Sequence, residues 1–301
     1  MREVGMRGSL VCPVCGTRRN LRPLYANARG EAVLECPRCE VIGVDSADGV
    51  ALLTDGHYYD ASMERLYRSS RESFARTAAA YARVTRDLAG GLAGKRVLDV
   101  GAGLGHFLDA ATGAGARVEG LDIRAASVSF LRARGIVAHH ALLPQHAAAA
   151  PRTYEVVSAW NVLEHDDAPR RFCAAARTLL TPGGLFVLET PDSYLLPKRL
   201  LYRFFGLVAP RWRPIVTSLH TSTGHRFGFS RRSALALLRS VGFTDCGCTS
   251  VDYDYDLVRR KVLSRAPAGV RRTVAGAGLG LAFSALRVAG VRNRFVAWGR
   301  A

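Results

Sequence analysis

The stretch Arg96-Val-Leu-Asp-Val-Gly-Ala-Gly-Leu-Gly-His-Phe-Leu108 decides the fold. Its first residues form a short apolar run of strand length, and an apolar helical pattern follows the glycines. Glycines at 101, 103 and 105 let the backbone bend through conformations closed to other residues and pass close to a ligand. A dinucleotide-binding turn of the G-x-G-x-x-G type would need glycine at 106, where His106 stands. Asp99, at the strand end, is a poor neighbour for a pyrophosphate and a good one for a cationic ligand.

Downstream, Arg117-Val-Glu-Gly-Leu-Asp-Ile123 is a second apolar strand ending in Asp122. An acid about twenty residues after the glycine turn suits a bidentate grip on ribose hydroxyls. Asp122 can also cap the following segment, Arg124 to Arg134. The company of Asp99 and the three glycines favours the ligand. Further strands are expected at Ile136 to Leu142, Tyr154 to Asn161 and Leu185 to Thr190, alternating with helices as in a parallel sheet. Thr181-Pro-Gly-Gly184 stops the helix before the last of these, and Asn293 to Trp298 reads as the final strand. Upstream, residues 60 to 92 carry apolar positions at helical spacing, broken by Gly90-Gly91. The expected organisation is a ribbon over 1–45, a helical lead-in over 46–95 and an α/β domain over 96–301.

The ribbon rests on Cys12-Pro-Val-Cys15 and Cys36-Pro-Arg-Cys39. Each C-x-x-C turn aims two thiolates at one ion, and two turns complete a tetrahedral zinc site from Cys12, Cys15, Cys36 and Cys39. Four thiolates leave no open position, so such a zinc is structural. Leu21 to Leu34 reads as a short hairpin around Asn27 to Gly30. Cys173, Cys246 and Cys248 have no partner knuckle and read as buried or incidental thiols.

Val97 to Gly105 resembles the first motif of class I S-adenosylmethionine-dependent methyltransferases. Trp160-Asn-Val-Leu-Glu-His165, Leu180-Thr-Pro-Gly-Gly184 and Glu189-Thr-Pro-Asp192 resemble that family's later motifs, in the family's order. The branch most similar contains the ubiquinone-biosynthesis O-methyltransferase, with bacterial enzymes that carry an N-terminal zinc ribbon and modify sugars, polymers or secondary metabolites. The likeness runs from Cys12 to about Phe243 and includes His225-Arg-Phe-Gly-Phe-Ser230. It implies a Rossmann-like seven-stranded sheet with helices on both faces, and S-adenosyl-L-methionine as cofactor. It further implies that Gly101, Gly103 and Gly105 line the methionine and ribose, Asp99 faces the amino group and Asp122 holds the ribose. Ala141 and Leu142 would border the adenine, where many relatives have an acid and this chain offers His139 and His140. Asn161 joins the cofactor-binding positions. It stands where some relatives have a glutamate of a divalent-metal pattern, which argues against a catalytic metal.

Methyl transfer to a hydroxyl needs in-line alignment and gains from a base near neutral pH. His165, beside the expected cofactor, and His225, in the basic insert before the helix that ends at Gly242-Phe243, are the candidate catalytic residues, each with a structural role as the alternative; His220 is weaker, its flanks being loop-like.

The formal net charge of +17 is local. Ser193 to Arg232 holds eight Lys or Arg and no acid, and Arg259 to Ala301 holds ten and no acid. Both contain apolar inserts, at about 193–228 and 256–291. Tyr194 to Val208 mixes aromatics with Arg and Lys as an interfacial helix or substrate lid does, or as a helix packed on its own domain. Together they suit a lipid-linked acceptor or an anionic membrane surface; RNA is the competing partner. Neither a signal peptide nor a membrane span is expected, the longest candidate (Thr273 to Leu286) being too short. The expected setting is cytoplasmic, peripheral on the inner face of the membrane. The expected activity is O-methylation of a small-molecule, sugar or lipid-linked acceptor. RNA methylation and a non-catalytic cofactor-binding module are the alternatives.

Overall fold

The computed structural model describes residues 10–27, 30–46, 71–149, 153–194, 225–251 and 292–301. His220, most of the first basic insert, all of the second and the first part of the helical lead-in lie outside them.

Seven strands form one sheet in the order β10-β11-β8-β7-β4-β5-β6. They are β4 (Arg96–Val100), β5 (Arg117–Asp122), β6 (Val137–His140), β7 (Tyr154–Trp160), β8 (Leu180–Pro191), β10 (Thr244–Val251) and β11 (Arg294–Arg300). From β6 to β8 neighbours run parallel; β11 is antiparallel to β8, and β10 to β11. The central strands have no exposed face: Val97, Leu98, Val156, Val157 and Phe186 to Leu188 are almost wholly buried, as strands covered by helices on both sides must be. Helices α2 (His106–Gly113), α3 (Ala125–Ala133), α4 (Leu143–Ala149) and α5 (Pro169–Leu179) follow β4, β5, β6 and β7. β6 is shorter than the sequence pattern suggested, because Ala141 and Leu142 bend away into α4; the Leu142 amide donates to Gln145 Oε1 at 3.1 Å.

Helix α1 (Arg71–Ala89) precedes the sheet. It is rich in alanine, buries Ala78, Tyr81, Ala82 and Thr85 on one face, and gives way to Gly90 at φ 65°. Tyr81 stacks on Trp160 with ring centroids 4.2 Å apart, which brings α1 to the carboxyl end of β7. Such stacking adds about 0.5–1.5 kcal/mol beyond area burial.

A second sheet has the order β1-β2-β3-β9. Strands β1 (Arg22–Ala26), β2 (Ala32–Cys36) and β3 (Val41–Asp45) are the ribbon; β9 (Phe227–Phe229) comes from the far side of the chain. Helix α6 (Arg231–Ser240) follows β9. Leu10, Cys12, Cys36, Cys39 and Val41 share one apolar core with Leu163, Phe227, Phe229 and Leu237, so ribbon and main sheet are packed together.

Candidate active site

The carboxyl ends of β4, β5 and β7 converge on one edge, where a parallel sheet binds its ligands. After β4 the chain turns through Gly101, Gly103 and Gly105 at φ 71°, 54° and 82°. The reasons for glycine differ. A Cβ on Gly101 would stand 2.4 Å from Val162 Cγ2, and one on Gly105 would stand 2.7 Å from Leu131 Cδ2. Among the described residues, a Cβ on Gly103 would meet only the Gly101 carbonyl oxygen, at 3.9 Å. Gly103 is therefore the position where the backbone is open to a ligand.

Asp122 closes the turn from the next strand. Its Oδ2 accepts from the Gly103 amide at 2.9 Å and its Oδ1 from the Arg124 amide at 2.8 Å. It thus braces both the glycine turn and the entry to α3, and each oxygen keeps a lone pair for a hydroxyl. Burial raises its carboxyl above the usual range, the two amides opposing the rise. Asp99 is 3% exposed and accepts from the Ser158 hydroxyl at 2.7 Å. Burial pushes its carboxyl up to about 8 despite that hydrogen bond. A buried acid of this kind gains most from a cationic ligand, which favours its ionised form.

The two histidines at the end of β6 part company. His140 Nε2 lies 2.9 Å from the Ile123 carbonyl oxygen, next to Asp122. His139 instead contacts Glu119 at 2.8 Å and lies with its ring 4.5 Å from that of His146, in a network completed by the Tyr154 hydroxyl.

On the other side, β7 ends at Trp160 and Asn161 adopts a left-handed φ of 58°. A 3-10 turn, Leu163–His165, follows. It brings Glu164 and His165 inward, both buried. His225, far along the chain, joins them: its ring centroid is 4.8 Å from that of His165 at 75°. One donor atom from each of Glu164, His165 and His225 lies within 4.8 Å of the others, close enough to share an ion. Burial, and secondly the Glu189 carboxylate, push the Glu164 carboxyl up to about 8. Below lies Arg294 of β11, which bonds both Asn161 Oδ1 and, at 2.6 Å, the fully buried Glu189 Oε1.

The structure therefore brings Asp99, the glycine turn and Asp122 together, and separately His165 with His225. The sequence had given no role to Ser158, Glu189 or Arg294. Glu164 and Glu189 sat inside motifs already noted; nothing local marked Ser158 or Arg294.

The four ribbon cysteines also meet, with sulfurs within 4.8 Å of one another and Cys15 to Cys36 at 3.8 Å. Thiolates about 2.3 Å from a tetrahedral zinc stand about 3.8 Å apart, so the cluster fits that ion. The backbone supports it: the Gly16 and Glu40 amides return to the carbonyls of Cys12 and Cys36, each with a left-handed φ.

A parallel sheet ending in a glycine turn between two buried carboxylates defines the class: the cofactor-binding α/β fold of S-adenosylmethionine-dependent methyltransferases. Residues 67–246 match the family described as a methyltransferase domain, and the chain belongs to that family. The ubiquinone biosynthesis O-methyltransferase of Burkholderia multivorans is 38% identical over 121 residues, 38% of this chain and 51% of that protein. Its counterpart in Bordetella pertussis is 30% identical over 176 residues, 56% of this chain and 70% of that protein. The chain thus spans about half the length of the first relative. Among solved structures, a SAM-dependent methyltransferase from Thermotoga maritima superposes with TM-score 0.53 at 15% identity, over 81% of this chain and 99% of that one. A chain of the Haloferax volcanii complex between the Trm112 methyltransferase activator and a methyltransferase gives 0.55 at 15%, over 82% and 96%. These two share the fold.

Proposed function

We propose that the protein transfers a methyl group from S-adenosylmethionine to an oxygen of a small-molecule, sugar or lipid-linked acceptor. The observation that carries this reading is the meeting of His165 and His225 beyond β7, the strand beside the one that leads into the glycine turn. The names of the relatives, O-methyltransferases, point to oxygen.

Bound there, S-adenosylmethionine supplies a methyl group already activated on a sulfonium. Asp99 offers a buried carboxylate to the amino group, and Asp122 takes the ribose hydroxyls. Gly103 lets the backbone come close, Ala141 and Leu142 border the adenine, and Asn161 stands on the cofactor side of β7. His165 or His225 accepts the proton of the acceptor hydroxyl at a ring nitrogen as the oxygen attacks in line. Cys12, Cys15, Cys36 and Cys39 hold a structural zinc. The basic inserts supply a surface for a lipid-linked acceptor or an anionic membrane. Among the described residues no helix is long and apolar enough to cross a membrane.

Labelled methyl transfer to a panel of hydroxylated small molecules and to RNA tests this. The expected result is product on a small-molecule oxygen, with kcat falling about 10²–10⁴-fold when the histidine acting as base becomes alanine. Full activity in both His165→Ala and His225→Ala, or methylation of RNA alone, contradicts it.

A further inference from the structure

We infer that Arg226 is a positioning residue through which the ribbon holds His225 in the active site. The inference rests on the reading of His225 as part of that site. His225 stands two residues before the three-residue strand β9.

Arg226 ties three elements together. Its amide donates to the Glu164 carbonyl at 2.7 Å, which sets His225 beside the Glu164–His165 turn. Its carbonyl accepts from the Val44 amide of β3 at 3.0 Å, and its Nη1 donates to the Ser46 carbonyl at 2.9 Å, just past β3. Its Nε lies 3.5 Å from Asp167 Oδ1. One residue thus touches β3 and the residue just past it, and the Leu163–His165 turn and the segment just past it.

The ribbon side of this link is rigid by construction. β9 pairs with β3 in antiparallel register: Val41 with Phe229, Ile42 with Gly228 and Gly43 with Phe227. β3 in turn follows directly from the Cys36–Cys39 knuckle that joins it to β2. The first knuckle is gripped from the opposite side, where Arg170 of α5 donates to the Val14 carbonyl at 2.9 Å and the Pro13 carbonyl at 3.4 Å. Closing the four cysteines on an ion fixes the β2–β3 turn, the turn fixes the template edge of β3, and that edge fixes Phe227 to Phe229 and the residue before them. The other edge of β9 meets the Asp192–Phe229 bridge and the Ser193 amide, which donates to the Phe229 carbonyl at 3.0 Å.

Among the described residues, the bonds of Arg226 go to Glu164, Val44, Ser46 and Asp167 and not to Asp99, the glycine turn or Asp122, so cofactor affinity and acceptor chemistry should separate. Two perturbations of the full-length protein test this. One strips the metal with a chelator; the other is Arg226→Met, which leaves all four cysteines in place. Amide exchange by mass spectrometry, calorimetric binding of S-adenosylmethionine, metal content and the pH profile of methyl transfer are measured in each. In Arg226→Met the expected results are unchanged metal content, cofactor affinity within about twofold, faster exchange over residues 225–229, a tenfold or greater fall in kcat and a displaced pH profile. The stripped protein should show the same exchange signature. Wild-type exchange over 225–229 in Arg226→Met overturns the inference, even if stripping unfolds the chain. Wild-type kcat and pH profile despite faster exchange overturn it too. Should no acceptor be methylated, the proposed activity fails, while the exchange data still decide whether the ribbon holds this segment.

Discussion

At the scale of single residues, the site depends on buried carboxylates whose charge is conditional. Asp99 is a neutral acid over most of the physiological range, its carboxyl pushed up to about 8 by burial. A cationic ligand favours the ionised form, so binding lowers that value and expels a proton. The sign follows directly: below about pH 8 the free protein must give up the proton, so cofactor affinity rises as pH is raised from 6 towards 8. Calorimetry at pH 7 in two buffers of different ionisation enthalpy should show up to one proton released, and Asp99→Asn should abolish it. Proton uptake, or none exchanged by the wild type, would refute the assignment. Gly101 offers a test of the turn. Alanine there must hold φ 71° and place its Cβ 2.4 Å from Val162 Cγ2. The left-handed strain alone is worth about 1–3 kcal/mol. Gly101→Ala should therefore lower stability by at least about 1 kcal/mol in denaturant melts, and Val162→Ala should recover part of the loss.

At the scale of elements, α6 opens with a reciprocal cap: the Ser233 amide donates to Ser230 Oγ at 3.1 Å and the Ser230 amide to Ser233 Oγ at 2.8 Å. Ser230→Ala should cost about 0.5–2 kcal/mol. An unchanged unfolding midpoint would show that β9, immediately before it, carries the start of this helix unaided. The same region marks the limit of what the sequence disclosed. The strands β4, β5 and β7 were legible because each is an apolar run bounded by punctuation, and Asp99 and Asp122 because they end such runs. β9 was not. Phe227-Gly-Phe229 is too short for any period to emerge, and its partner β3 lies more than 180 residues away. The 3-10 turn at Leu163–His165 was hidden for a related reason, since one turn has no amphipathic repeat to display. The pairing of His165 with His225 was likewise invisible, although each was nominated separately; only the fold brings their rings to 4.8 Å. Arg294 passed unnoticed because its carboxylate and amide partners, Glu189 and Asn161, lie over 100 residues earlier.

At the scale of the whole molecule, the ribbon and the main sheet share one apolar core, with Cys12, Cys36 and Cys39 packed among the same residues as Phe227 and Leu163. Metal removal should therefore lower the melting temperature of one cooperative transition rather than produce a separate early one. Two well-separated transitions in a chelated sample would show the ribbon to be energetically independent. The charge of +17, concentrated in two stretches, is the other global feature. Binding to anionic vesicles should be measurable at low ionic strength and fall steeply with salt, because screening lengths shrink from about 30 Å at 0.01 M to about 10 Å at 0.1 M. Equal binding to neutral vesicles would remove the electrostatic part of that account. The central claim remains that β4, β5 and the glycine turn between them form a working S-adenosylmethionine site. Calorimetric titration of the zinc-loaded protein with S-adenosylmethionine, beside an Asp122→Ala variant shown to be folded, tests it most directly. Micromolar binding by the wild type, weakened at least tenfold in the variant, is the predicted result; no binding by the folded wild type, or equal affinity in both, would contradict it.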